Sequence, residues 1–321
     1  MNLKRRAAFW VLAALLSAQV GAQQSYPDRP VRLVVPYAPG GPTDIIARLL
    51  SDKLSDLWKQ PVVVENRAGA SGNVGSAQVA RSAPDGYTVL INTSSVAVNA
   101  SLYANAGYNL EKDLVGVANV ANSPNVMVAG ASLRARHLKE GLEAAKSGKM
   151  SYGSPGTGTT PHLSAEYLFK VLAKAPILHV PYKGAGPALN GALTGEIQFA
   201  SVAMPAAVSL IKGGKLQGLA VTSIKRTSAL PDVPTVAESG FAGFEDYTWV
   251  GVFVPVGTPK AVVTRINADI ETLLQQPAVR EQLATVGFDP VGGSPESFAR
   301  YIKQEISKWA TVVRETGIQA E

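Results

Sequence analysis

The sequence predicts an α/β fold in two lobes, each a mainly parallel sheet flanked by helices, with two crossovers between them. Three observations carry this. Short apolar runs alternate with amphipathic stretches along most of the chain, the rhythm of strands and helices in a parallel sheet. Residues 115–129 and 241–255 are β-like with no helix inside, as expected where a chain leaves one lobe and later returns. Two glycine-bearing turns, around Gly40-Gly41 and Gly156-x-Gly158, each lead from a strand into a helix. On this reading lobe 1 holds residues 26–123 and 252–321, lobe 2 holds 124–251, and the geometry is that of a hinge closing on a ligand.

The 321 residues are enough for one large core or two ordinary ones. Cysteine is absent, which excludes disulfides, thiolate nucleophiles and Cys-ligated metals. Lys4-Arg5-Arg6 precedes an apolar stretch over 7–18 and the small residues Val20-Gly21-Ala22. This is the pattern of a secretory signal peptide, residues 1–22, cut before Gln23. No cysteine follows the cut to carry a lipid, and no later apolar run is long enough to span a bilayer. The mature protein is therefore expected to be soluble, periplasmic and monomeric. Removing the three basic residues of the leader from the net +6 leaves about +3, a balance suited to an anionic ligand. No basic run interleaved with aromatics is present, so nucleic acid is not an expected partner.

The elements follow in order. A strand over 31–35 leads through Pro36-Tyr37-Ala38-Pro39-Gly40-Gly41-Pro42-Thr43-Asp44 into a helix over 44–58, with Ile45, Ile46, Leu49, Leu50, Leu54 and Leu57 on one side. Glycines there let the backbone approach a ligand, and the helix start favours an anion. The plainer reading is a tight connection with Asp44 placed for the helix dipole. A buried strand over 62–65, a loop over 66–72 containing Gly72, and a short helix from Asn73 to residue 82 come next. After the strand over 87–92, Thr93-Ser94-Ser95 reads equally as part of the crevice or as a helix cap. Residues 115–129 read as two β runs broken by Asn122-Ser123-Pro124-Asn125.

A helix over 138–146 and a strand over 150–153 lead to Ser154-Pro155-Gly156-Thr157-Gly158-Thr159-Thr160-Pro161-His162. Thr160 is the expected N-cap and Pro161 the first helical residue. Pro161 replaces the third glycine of a dinucleotide fingerprint, which excludes that reading. Strands over 177–181, 197–203 and 216–223 alternate with helices over 187–193 and 205–212. The return strand 247–253 precedes helices over 259–274, 277–286 and 295–316, each with a proline near its start, as helical cover for the first lobe.

Catalytic signatures are missing together: no Gly-x-Ser-x-Gly, no His-Glu-x-x-His and no phosphate loop. His137, His162 and His179 are far apart in the chain, and no metal or cofactor is expected. His162, after a helix start, either donates to a ligand or sits in the wall, the commoner role.

Taken together, Tyr26-Pro27-x-Arg29-Pro30, the stretch 36–44, Glu65-Asn66-Arg67-Ala68-Gly69-Ala70-Ser71-Gly72, Pro84-Asp85-Gly86-Tyr87, Gly153-Ser154-x-Gly156-x-Gly158 with His162, Val180-Pro181-Tyr182-Lys183-Gly184, Leu230-Pro231-Asp232-Val233-Pro234-Thr235 and Pro255-x-Gly257-Thr258-Pro259 resemble the Bug/TctC-type family. These are periplasmic solute-binding proteins of tripartite tricarboxylate transporters. The resemblance implies a Venus-flytrap, type II-like fold, delivery to a membrane permease pair, and ligands that are small di- or tricarboxylates, amino acids or aromatic acids. It also implies carboxylate oxygens held by the loops at 39–44 and 154–159, through amides, hydroxyls and water. The expected ligand-binding residues are Tyr37, Pro39, Gly40, Gly41, Thr43, Asp44, Gly72, Asn73, Thr93, Ser154, Thr157, Gly158, Thr159, His162 and Tyr182, with Trp249 a weaker aromatic wall. Many relatives carry an aspartate at about Val202. A valine there cannot pair with an ammonium group, so a carboxylate without an amino group is expected. A ligand-loaded sensor that signals through a receptor ectodomain is the alternative, and a secreted hydrolase a third.

Overall fold

The computed structural model describes residues 26–147, 149–175 and 177–320. The leader read from the sequence lies outside them. Lobe 1 opens with β1 (Val31–Val35), α1 (Pro42–Trp58), β2 (Val62–Asn66), α2 (Asn73–Ala80), β3 (Thr88–Thr93), α3 (Ser95–Leu102) and the single turn α4 (Leu110–Asp113). β4 (Leu114–Ala129) crosses over. Lobe 2 adds α5 (Leu138–Ser147), β5 (Met150–Ser154), α6 (Thr160–Glu166), β6 (Ile177–Pro181), α7 (Ala185–Thr194), β7 (Phe199–Ala203), α8 (Val208–Lys212) and β8 (Gln217–Val221). β9 (Tyr247–Pro255) returns, followed by α9 (Lys260–Gln275), α10 (Pro277–Thr285), β10 (Asp289–Pro290) and α11 (Pro295–Thr316).

The strands run in the order β2-β1-β3-β9-β4-β7-β5-β6, with β8 and β10 pairing β4. β1–β3 are parallel, as are β5–β7, while the two crossing strands pair antiparallel to their neighbours. The lobes are thus mixed sheets, each with a parallel outer half. β4 is one continuous strand, where the sequence suggested two broken runs. Pro124 still faces Tyr247 of β9, whereas Asn125 faces Ala203 of β7. The proline's missing N–H falls where the strand changes partners, so the ladder continues through it. Residues 247–251, assigned to lobe 2 from the sequence, pair with β3 and β4 of lobe 1.

In lobe 1, β1, β3 and β9 press Val31, Leu33, Ile91 and Val252 against Ile46, Leu50 and Leu54 of α1 and Ile266 and Ile270 of α9. Lobe 2 packs Met127, Tyr152, Phe169, Phe199 and Leu219 on one face, and Val128, Leu189, Ile197 and Val202 on the other. α11 covers more than lobe 1. Its Phe298, Ile302 and Trp309 share a cluster with Trp249, Phe253 and Leu163 of α6. Lys170 Nζ also donates to Thr316 O at 2.9 Å, so this helix clasps both lobes from behind.

A candidate anion-binding cleft between the lobes

The turn after β1 is braced from inside. Asp44 carboxylate oxygens accept from Gly40 N at 3.1 Å, Arg48 Nε and Nη2 at 2.9 and 3.0 Å, and Asn66 Nδ2 at 3.2 Å. Burial opposes its charge, yet the bonds from Arg48, Gly40 and Asn66 hold its carboxyl below the ordinary value. Asp44 therefore shapes the turn with its own oxygens already engaged. Asn66 Nδ2 also donates to Tyr37 O at 3.0 Å, which fixes the tyrosine beside the turn. Gly41 caps α1 with extended backbone and no side-chain bond, leaving the first N–H groups of the helix free.

The same condition recurs at α6 and α7, which begin after Thr159 and Gly184 without a side-chain cap bond, whereas α3, beginning after Ser94, has its first amide, Ser95 N, held by Thr93 Oγ1 at 3.3 Å. Thr159, not Thr160, is the N-cap of α6. The Thr160 hydroxyl is taken up elsewhere, 2.9 Å from Ser94 Oγ of lobe 1 and 2.7 Å from Thr248 Oγ1 of β9. Residues at all four starts (Gly41, Pro42 and Thr43; Ser95; Thr159 and Pro161; Ala185) line one small cavity between the lobes. Tyr37, Thr93, Pro155, Ala203 and Thr248 complete it, and no acidic or basic side chain lines it. Thr43 Oγ1 is fully buried there with no hydrogen-bond partner. Four positive helix ends and an open hydroxyl around an uncharged cavity suit one small anion.

Tyr37 and Pro155 also line a wider outer cleft, with Gly72, Thr157, Tyr103 and Lys183. The lobes touch along its walls. Ala38 N donates to Lys183 O at 3.3 Å and Tyr103 Oη to Thr157 O at 3.0 Å. Gly158 (φ +86°) lies so close to α3 that a Cβ would stand 2.6 Å from Leu102 and 2.8 Å from Asn99. Left-handed backbone and this approach together require glycine.

Of the sequence-predicted residues, Tyr37, Gly41, Thr43, Thr93 and Thr159 line the inner cavity, and Gly72, Thr157 and Tyr182 the outer cleft. The Tyr182 ring itself packs inside lobe 2 against Gly153 and Gly191. Pro39 and Gly40 form the exposed shoulder of the turn. Asn73 is buried, its Oδ1 accepting from Asn99 Nδ2 at 2.9 Å. Trp249 is wholly buried, stacked edge-on to Phe298, with its indole N–H on Glu305. Val202 points into the lobe 2 core opposite Val126, and Ala203, one residue on, faces the cavity. Side chains of a strand alternate faces, so a one-residue error in register exchanges wall for core.

Ser154, Gly158 and His162 lie behind the lobe 2 loop. Gly158 N donates to His162 Nδ1 at 3.1 Å, and Ser154 Oγ lies 2.7 Å from His179 Nε2. His162 and His179, distant in sequence, stack with centroids 3.8 Å apart. Burial and then the neighbouring His179 push His162 well below its ordinary value, and burial lowers His179 to about 4. Ser95, Pro161, Ala185, Ala203 and Thr248 were not read as site residues. Only the helix starts after Ser94 and Gly184 had a local signal, in their hydroxyl and glycine.

Behind the cavity the hydroxyl chain continues. Thr248 Oγ1 donates to Asn125 Oδ1 at 2.7 Å, Asn125 Nδ2 donates to Asp246 Oδ2 at 2.8 Å, and Ser164 Oγ donates to the same carboxylate. Lys308 of α11 stands 3.6 Å from Asp246 Oδ1.

Residues 46–318 match the family model described as the tripartite tricarboxylate transporter family receptor. The chain belongs to this receptor family. BugT of Bordetella pertussis (strain Tohama I) is a member-like relative, 39% identical over 99% of each chain. The solved periplasmic binding protein BugD is 34% identical, with a TM-score of 0.87 over 92% of this chain and 100% of its own. Rpa4515 of R. palustris, solved with adipate, is 35% identical, with a TM-score of 0.88 over 92% of this chain and 99% of that one. The TctC-type receptors are solute-binding proteins, and their two-lobed fold is the one seen here.

Proposed function

We propose that the protein captures a small organic acid between its lobes and hands it to the membrane permease subunits of a tripartite tricarboxylate transporter. The observation that carries this reading is the convergence of four helix starts, three of them uncapped, on a cavity without charged side chains. The carboxylate sits in the inner cavity, on the amides of α1 and α7 and the hydroxyl of Thr43, beside Thr159, whose own hydroxyl donates to Gly156 O at 2.8 Å. Each charge-assisted bond contributes about 1.5–3 kcal/mol. The remainder of the ligand reaches past Tyr37 and Pro155 toward the outer cleft. Pro39, Gly40, Asp44, Asn73, Ser154, Gly158 and His162 act by shaping the two turns.

The wall at Ala203 carries no acid to receive an ammonium group, so we infer a plain carboxylate, not an amino acid. The adipate held by a relative supports that class. The protein works from the periplasm after loss of residues 1–22, and its exported form has the intact mass of residue 23 onward. Among the described residues no helix is long and apolar enough to cross a membrane. The sensor reading gains no support from the relatives.

Calorimetric titration of the exported protein with adipate, malate, glutamate and aspartate tests the proposal. Adipate or malate is expected to bind and to raise the melting temperature. Tighter binding of the amino acids than of adipate and malate would remove the inference about Ala203, and no binding by any organic acid would remove the whole reading.

A further inference from the structure

The loop over 154–159 presents Pro155 and Thr159 to the inner cavity and Gly156 and Thr157 to the outer cleft. Two imidazoles fasten it from behind. The Gly158 amide donates to His162 Nδ1, and Ser154 Oγ is bonded to His179 Nε2. A nitrogen that accepts a hydrogen bond carries no proton, so the Gly158 bond exists only while His162 is neutral. The two rings lie nearly parallel, 17° between planes and 3.8 Å between centroids, and His162 is 2% exposed. A charge on His162 would be dry and pressed against its half-buried neighbour His179.

The surroundings offer that charge no counter-ion. From β5, Tyr152 stacks at 4.9 Å on His179 and at 6.4 Å on His162. Its hydroxyl donates to Glu166 Oε1 of α6 at 2.7 Å, and that carboxylate makes no bond to either ring. From lobe 1, Leu102, Asn99 and Tyr103 stand over Gly158, and none is charged at neutral pH. Among the described residues no carboxylate bonds either imidazole.

We propose that His162 is a positioning residue for ligand capture: acting through the Gly158 amide, with His179 stacked behind it, it locks the loop in its binding form, and proton uptake by the pair unlocks it. The lock rests on the geometry of the loop. Which molecule it helps to hold rests on the proposed function. The sign follows from the locked form's preference for neutral rings. An unlocked loop returns them to an ordinary value near 6.5. The lock is therefore complete above that pH and weakens as the pH falls below it, by up to tenfold per pH unit for each histidine. The weakening levels off near the locked value, about 4 for His179.

Hydrogen exchange of the ligand-free protein, read by mass spectrometry as protection factors over residues 154–162 at pH 7.5 and 5.0, tests this. His162→Asn keeps an acceptor where Nδ1 stood and takes up no proton. The wild-type loop is expected to lose at least tenfold more protection between the two pH values than the Asn variant, in which only His179 still takes up a proton. His162→Leu is expected to leave the loop unprotected at both. Constant wild-type protection, or an Asn variant that follows the wild type, overturns the lock. The comparison of wild type with His162→Asn decides the matter even if His162→Leu does not fold. Adipate titrated at pH 7.5 and 6.0 separates the two readings. Absence of binding at pH 7.5 counts against the carboxylate, while pH-independent exchange counts against the lock.

Discussion

Thr43 shows most directly what a single side chain contributes. Its hydroxyl is buried at the start of α1, faces the inner cavity and has no partner. Thr43→Val removes an unpaired polar atom with little change of shape, so the free protein is expected to be as stable as wild type or slightly more stable. Adipate affinity is expected to drop by about 1.5 kcal/mol, roughly tenfold, the value of one bond to a charged group. Calorimetry on the complex and urea melts of the free protein separate the two effects, and equal affinity would mean the carboxylate sits elsewhere. Gly41, Thr43 and Thr159 were legible from sequence because helix-start chemistry is local. Ala203 and Thr248 were not, since their place in the wall depends on the register of β7 and β9 against β4. A small or hydroxyl residue in a strand carries no mark of which face it will line.

Strands and helices with clear period were read nearly to the residue, α1 and α11 among them, because a polar face marks their exposed side. α3 was missed. It is buried at Ser95–Asn99 and Leu102, so it shows no amphipathic stripe to betray a helix. The long β4 was read as broken because Pro124 is a strand breaker everywhere except where pairing changes hands. At this scale β9 and α11 form the joint between lobes, and Trp249 is their contact, wedged among Phe253, Phe298 and Tyr301 with its N–H on Glu305. Trp249→Ala is expected to cost about 3–5 kcal/mol through the cavity it leaves. Urea denaturation gives the number, and a loss below 1 kcal/mol would show that this joint does not hold the lobes.

Across the whole molecule, one buried polar chain runs from Ser94 in lobe 1 through Thr160 and Thr248 to Asn125, Asp246 and Lys308 of α11. Burial pushes Asp246 up to about 6, against the pull of Lys308 and the Ser164 hydroxyl. Its value in the fold lies above that in the unfolded chain, so its contribution is fully present below about 4 and lost as pH rises through about 6. Urea melts at pH 4.5 and 7.0 should show Asp246→Asn abolishing a slope of at most about 1.4 kcal/mol per pH unit. A variant with the wild-type slope would place the titration elsewhere. No sequence pattern announces such a chain, because its members come from five separate segments and are common hydroxyl, amide and charged residues.

The inner cavity divides its labour between main chain and side chain. On the proposed function, the negative end is gripped by peptide dipoles and amides, which substitution scarcely alters, while the wall at Ala203 and Pro155 is made of side chains, which single changes can enlarge, shrink or charge. Descendants of this scaffold can therefore exchange one cargo for another at the far wall and keep the anchor intact.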